Sequence, residues 1–314
     1  SRAIGYGKGA LIFHMLKNLV GEEVFYKSLR EIVDKKRFQK ASWDDFKDIF
    51  ERNSNKDLGY FFTQWIDEKG IPDISIEKTS VKAKGNKFEI SLDIVQKGKT
   101  YSLEIPLTIY YLDGEKSEQI INIDSERKDF NFIVDNEPQR IVIDENYDIL
   151  RRLSEEELPP VIGMIMAKEC PTIALPVSKN EIYEEIINTF KEKGCELKEH
   201  KDIKHRDLKD SSVIIFGNDN PLIERLFGRS ESVDAGFSLL VKRNPWNYKK
   251  GIGIINAISK DEIDLAYRKV THYGRYSVVA FEKGKNTIKK TFETKRGIIE
   301  ELRSFPLFVD TTLI

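Results

Sequence analysis

Two cysteines and four histidines stand in 314 residues, so the sequence is short of the side chains that build covalent scaffolds and metal clusters. Two thiols exclude a disulfide framework and a cysteine-rich zinc site. No apolar run is long enough for a membrane-spanning helix. Neither sign of charge dominates, with 51 Lys+Arg against 52 Asp+Glu, and a dedicated nucleic-acid binder would carry a basic excess. Neither G-x-G-x-x-G nor a Walker motif occurs, which leaves nucleotide binding without support. No internal repeat of solenoid length is visible. What is present is ordinary globular material, 40% apolar and 33% charged, in a length that suits about two domains or three small ones. The chain opens at Ser1 with a helical pattern close behind. We expect it to be an excised part of a longer protein, with its targeting information elsewhere.

Residues 1–72 read as helical. Ile4, Leu11, Ile12, Met15, Leu16 and Leu19 recur at helical spacing up to Gly21, whose tolerance of positive φ suits a helix end. A second run carries Val24, Phe25, Leu29, Ile32 and Val33. A third opens at Ser42, with Asp45 three residues on as the acidic half of a cap, and carries Phe46, Ile49 and Phe50. A fourth runs from Asp57 through Phe61, Phe62, Trp65 and Ile66 to Gly70 and Pro72. Four short helices with one apolar face each would bury those faces poorly alone, so we expect them to pack on something else.

From Ile74 the hydrophobic period falls to two. Phe88, Ile90, Leu92 and Ile94 alternate with polar residues, as do Leu103 to Ile109, Phe130 to Val134, and Ile141 and Ile143. Turn residues separate the runs at Lys84-Gly85-Asn86, Lys97-Gly98, Asp113-Gly114 and Asn136-Glu137-Pro138. Strands in series without helices between them predict a small antiparallel sandwich over 73–153. The acidic, proline-bearing stretch from Ser154 to Pro160 predicts a linker over 154–169. Beyond it, strand-like Thr172 to Val177, Val213 to Phe216, Phe237 to Val241, Ile252 to Ile255 and Ser277 to Phe281 are interspersed with helical patterns. That cadence predicts an α/β domain with a mainly parallel sheet over 170–314.

Several chemistry-bearing residues admit bland readings. His14 lies on an apolar helix and suits a packed histidine with one hydrogen bond. His200 and His205 fall in a charged stretch that reads as solvated. Gly217-Asn218-Asp219-Asn220-Pro221 joins a strand to a helix, where open α/β sheets place ligands, yet it also suits a structural turn. Lys242 to Lys250 mixes cations with Trp246 and Tyr248, which fits stacking on a base or an acidic partner as well as a solvated loop. Cys170 and Cys195 precede the first two strands of the α/β region and could pair or remain free thiols.

Several motifs in one order give the first 160 residues or so a family likeness. They are Tyr6-Gly7-Lys8-Gly9, Gly21-Glu22-Glu23-Val24-Phe25, Ser42-Trp43-Asp44-Asp45-Phe46, Phe61-Phe62-Thr63-Gln64-Trp65-Ile66 and Gly70-Ile71-Pro72. Together they resemble the closing part of the catalytic domain of the M1 zinc aminopeptidases. The sandwich is similar to the β domain that follows in many members. Arg140-Ile141-Val142-Ile143-Asp144 and Leu150-Arg151-Arg152-Leu153 resemble the exit from it. The implied architecture is multidomain: an all-α tail of a thermolysin-like catalytic domain, a β-sandwich, then the α/β domain, for which no likeness is apparent.

The resemblance implies a zinc peptidase that removes N-terminal residues from peptides by a metal-activated water. The family binds zinc through His-Glu-x-x-His and a later Glu, and none of His14, His200, His205 and His272 forms that pair. The zinc of the parent protein is therefore expected to bind upstream of Ser1, and this chain alone is expected to be inactive. Tyr6 matches the family tyrosine whose phenol donates to the oxyanion of the tetrahedral intermediate, a role that suits a neutral donor. Gly7 departs from the glutamate usual after it. The alternative is a catalytically silent relative whose α/β domain binds a ligand or protein, or self-associates through 170–314.

Overall fold

The structure, a computed structural model, describes residues 2–166, 169–178, 180–228 and 233–302. The chain divides into two compact units. The first takes residues up to 154 together with those from 295 onward, and the second takes 155–294.

The first unit begins with α1 (Arg2–Val20), α2 (Glu22–Lys36) and α3 (Trp43–Ser54). Gly21, at φ 84°, makes the sharp break between the first two. Helix α3 starts where its cap was expected: the Ser42 hydroxyl accepts from Asp45 N–H at 3.3 Å, and the Asp45 carboxylate accepts from Ser42 N–H at 2.8 Å. The short α4 (Gly59–Phe62) runs on into a π-helical turn, Thr63–Asp67. On α1 the buried residues are Ile12, Leu16 and Val20, with Phe13, Met15 and Leu19 packed beside them. The side chain of Ile4 lies outside the described residues.

Six strands follow: β1 (Ile74–Lys84), β2 (Lys87–Gln96), β3 (Leu103–Tyr111), β4 (Lys116–Ile123), β5 (Arg127–Val134) and β6 (Pro138–Ile143). They form two sheets, in order β1-β2-β5 and β6-β3-β4, with every pair antiparallel. Alternation puts Ile90, Leu92 and Ile94 of β2 and Ile105, Leu107 and Ile109 of β3 into one core. That core also takes in Ile12, Leu16, Phe50, Phe61 and Trp65 from the helices. The helical faces that could not be buried alone are thus closed by the sandwich. Trp65 stacks on Tyr101 at 5.6 Å, and the Gln64 carboxamide both donates to Ser102 O and accepts from Ser102 N–H.

The sequence pattern assigned everything from 170 to 314 to one α/β domain. The strand Ile298–Glu301 instead pairs antiparallel with β6, adding a fourth strand at the edge of that sheet. Its apolar residues are two isoleucines, too few to reveal which sheet they join. The stretch expected as a linker also has structure of its own. From residue 155 it belongs to the second unit, where the Arg243 guanidinium donates to the carbonyls of Glu155 and Leu158.

The second unit contains α5 (Ile162–Ile165), β7 (Thr172–Ala174), α6 (Asn180–Glu192), β8 (Leu197–Lys198), α7 (His205–Asp210) and β9 (Val213–Phe216). After these come α8 (Pro221–Phe227), β10 (Phe237–Arg243), β11 (Gly251–Ala257), α9 (Lys260–Ala266), β12 (Val278–Glu282) and β13 (Lys285–Lys290). The seven strands make one mixed sheet in the order β13-β12-β10-β11-β9-β7-β8. The pairs among β11, β9, β7 and β8 are parallel, and those among β13, β12, β10 and β11 are antiparallel. Hairpin connections make the second half antiparallel, because β10 reaches β11 through a short loop with no crossover helix. Side chains alternate between two covered faces. Ile173, Ile214, Leu239 and Ile255 meet α5, α6 and α9, while Val213, Ile215, Leu240 and Ile254 meet α7 and α8.

Cys170 and Cys195 form a disulfide, which resolves the alternatives left open by their spacing. They immediately precede β7 and β8, whose parallel pairing of Ile173 with Leu197 brings the two Cα atoms to 5.1 Å. The bond closes a loop with a sequence separation of 25. Constraining a loop of that size is worth about 3 kcal/mol. Cys170→Ser is expected to lower the unfolding free energy of the second unit by about that amount in denaturant titrations. Dithiothreitol should lower the wild type similarly and leave the variant unchanged.

Candidate functional site

Tyr6 occupies the second turn of α1 and is 78% exposed. Gly5, Gly7 and Gly9 surround it, and a Cβ built on any of the three would meet nothing within 4 Å. The anchoring residues Ile12, Leu16 and Val20 all lie in the other half of the helix. Among the described residues, residues 5–7 of α1 therefore present an open face, and the phenol makes no hydrogen bond. A phenol hydroxyl in that setting is an available donor.

Two turns further on, α1 is tied to the end of the sandwich. His14 Nε2 lies 2.6 Å from Asp148 Oδ1, with the Asn18 amide at 3.3 Å. This is the packed histidine the sequence favoured, with a carboxylate as its partner. Asp144 and Tyr147, at φ 55° and 58°, turn the chain sharply after β6. Asp144 Oδ1 accepts from the backbone N–H of Asp148 and Ile149, and Oδ2 accepts from Arg151 Nε at 2.6 Å. Both side chains of the Asp144–Arg151 pair are fully buried. Burial pushes the Asp144 carboxyl up to about 6, against the opposing pull of the guanidinium and the two amides. The two halves of the exit motif are thus joined by one ion pair.

A cleft of about 540 Å³ opens beside α1, lined in part by Asn18, Tyr60, Glu104, Glu118 and Asp148. Among the described residues, no group of three or more His, Cys, Asp and Glu side chains is arranged to hold a metal ion. The residues present do not fit the zinc implied by the family likeness.

The remaining candidates are structural or dispersed. Asn220 is buried: its amide donates to Leu175 O and Phe216 O, and its oxygen caps α8 by accepting from Leu222 N–H. Its polar atoms are committed to holding the turn. In the 242–250 loop, Asn244 is likewise buried, donating to Leu208 O and accepting from Trp246 N–H. Trp246 meets the His205 ring edge-on at 5.8 Å, and Arg243 sits over Tyr248 at 5.3 Å, so both aromatics already have partners.

Compared with known proteins, residues 2–65 match the Peptidase family M1 domain. That stretch is similar to the M1 domain. It contains Tyr6, His14, the Ser42 cap and Trp65, and ends inside the π-helical turn. Probable aminopeptidase 1 of Sulfurisphaera tokodaii is 28% identical over 131 residues, covering 41% of this chain and 16% of that protein. Aminopeptidase N of Lactococcus lactis is 32% identical over 75 residues, or 24% of this chain and 9% of that protein. Among solved structures, Legionella pneumophila aminopeptidase A aligns over 47% of this chain and 18% of its own with 19% identity and a TM-score of 0.39, too slight a likeness to carry an argument. The matches thus span less than a fifth of each of these proteins.

Arg151→Met should leave an uncompensated carboxylate in the core and cost about 3–5 kcal/mol at neutral pH. The cost should shrink on acidification. A carboxyl whose folded pKa is raised contributes stability below its unfolded value of 3.8, and loses it as pH rises through the folded value. Without Arg151 that folded value climbs above about 6, so urea melts of variant and wild type should differ least near pH 4 and most above pH 6.

Proposed function

We propose that this chain is part of an M1-type zinc aminopeptidase that removes N-terminal residues from peptides, with Tyr6 as the hydrogen-bond donor to the oxyanion. The observation that carries the proposal is the position of Tyr6: inside the stretch that matches the M1 domain, on a helix face where, among the described residues, nothing else packs. A phenol hydroxyl contributes most by donating where negative charge develops in the transition state. Glycines at 5, 7 and 9 keep this part of the helix uncrowded. The metal of such an enzyme would be held by residues other than those described, and peptide hydrolysis by this chain alone is not expected. The sandwich supports the site indirectly, by anchoring α1 through His14 and the shared core.

The competing reading is a silent peptidase-like protein whose second unit binds a ligand. Zinc content and aminopeptidase activity of the complete protein distinguish the two. In an active complete protein, Tyr6→Phe is expected to reduce kcat by roughly 10²–10³-fold with little change in KM, as for loss of one oxyanion donor. Turnover close to wild type in that variant would remove Tyr6 from the mechanism.

A further inference from the structure

The second unit holds a cavity of about 540 Å³ on the sheet face covered by α5 and α6. Its size falls within the roughly 300–1,000 Å³ typical of small-molecule sites. Ile214, Leu239 and Ile255 form its floor, one from each of β9, β10 and β11. Ile165, Phe190, Tyr267 and the Cys170–Cys195 disulfide line it as well. The glycines of β11 let α5 close on the sheet: a Cβ on Gly253 would fall 2.6 Å from Ile165 Cδ1, and one on Gly251 would fall 2.9 Å from its Cγ2. The floor side chains are almost entirely buried and offer no polar atom. Only an apolar body gains by entering.

The mouth has the opposite character. Lys193, Arg268 and Thr271 line it and are exposed. Neither cation forms a salt bridge among the described residues. Glu169, the acid at the same mouth, is engaged by Lys250 at 2.5 Å. Glu185, which feels the charge of Arg268, is bonded to Lys260 at 2.7 Å. Two unneutralised cations therefore stand over an apolar chamber. Tyr267 adds a phenol whose pKa burial pushes up to about 12, and the hydroxyl has no hydrogen-bond partner among the described residues. It is an available donor.

We infer that this cavity binds an anionic amphiphile, a monocarboxylate with an unbranched apolar body. The chain lies on Ile214, Leu239 and Ile255, and the carboxylate meets Lys193 and Arg268. Charge selects the head, since a cationic amphiphile would meet like charge at the mouth. The apolar floor selects the tail, because a polar body would lose its water without gaining partners. The inference stands whether or not the protein cleaves peptides.

The test uses the full chain with decanoate as the probe and decylammonium as the control. Calorimetry should show saturable decanoate binding, and methyl resonances of Ile214, Leu239 and Ile255 should shift as it fills. The double variant Lys193→Glu with Arg268→Glu alters only exposed side chains and should weaken decanoate at least about tenfold. Decylammonium should bind the wild type more weakly than decanoate and gain affinity for the variant. No saturable decanoate binding, unchanged affinity in the double variant, or shifts that spare all three methyls would each overturn the proposal.

Discussion

The first unit depends on one shared core. Four short helices and two small sheets each present apolar surface that none could bury alone. Leu16, Phe50 and Phe61 from the helices join Ile90, Ile105 and Ile143 from the strands in a single buried cluster. Burial of this kind is roughly proportional to area, so the helices gain their stability from the sandwich rather than from helix propensity. The consequence for function is positional. Among the described residues the buried anchors of α1 lie in its second half, and Tyr6 is exposed in its first.

Polar contacts then fix the register that apolar packing leaves loose. His14 to Asp148 ties α1 to the turn after β6, and Asp144 to Arg151 holds that turn closed. A fully buried ion pair is weak evidence for net stability, since desolvation opposes the attraction. Its geometry is nonetheless directional. One carboxylate collects two amides and a guanidinium, and so specifies a chain reversal that left-handed residues at 144 and 147 make possible.

The second unit uses different means. Its sheet is covered on both faces, a disulfide ties the starts of two parallel strands, and glycines in β11 allow a short helix to approach closely. The cavity on that face is a by-product of this layering: Ile214, Leu239 and Ile255 lie in adjacent strands, and the covering segments do not fill the space above them. All of its lining residues belong to the second unit, whereas the stretch that matches the M1 domain belongs to the first.

Local pattern in the sequence determined the helices of the first unit, the Ser42–Asp45 cap, the alternating strands and the strand–helix cadence beyond them, because each depends on neighbours a few residues away. The strongly polar β4 was less evident, visible chiefly through the Asp113-Gly114 turn before it. Motif order also placed Tyr6 in a recognisable stretch. What only tertiary structure decided were relations between distant residues: the strand 298–301 joining β6, the mixed direction of the second sheet, and the partnering of Cys170 with Cys195. The pairs His14–Asp148 and Asp144–Arg151 belong to the same class. The lining of both cavities does too. Such relations follow from how whole surfaces are buried, and a charged or apolar residue read in isolation carries no mark of the partner that burial will bring to it.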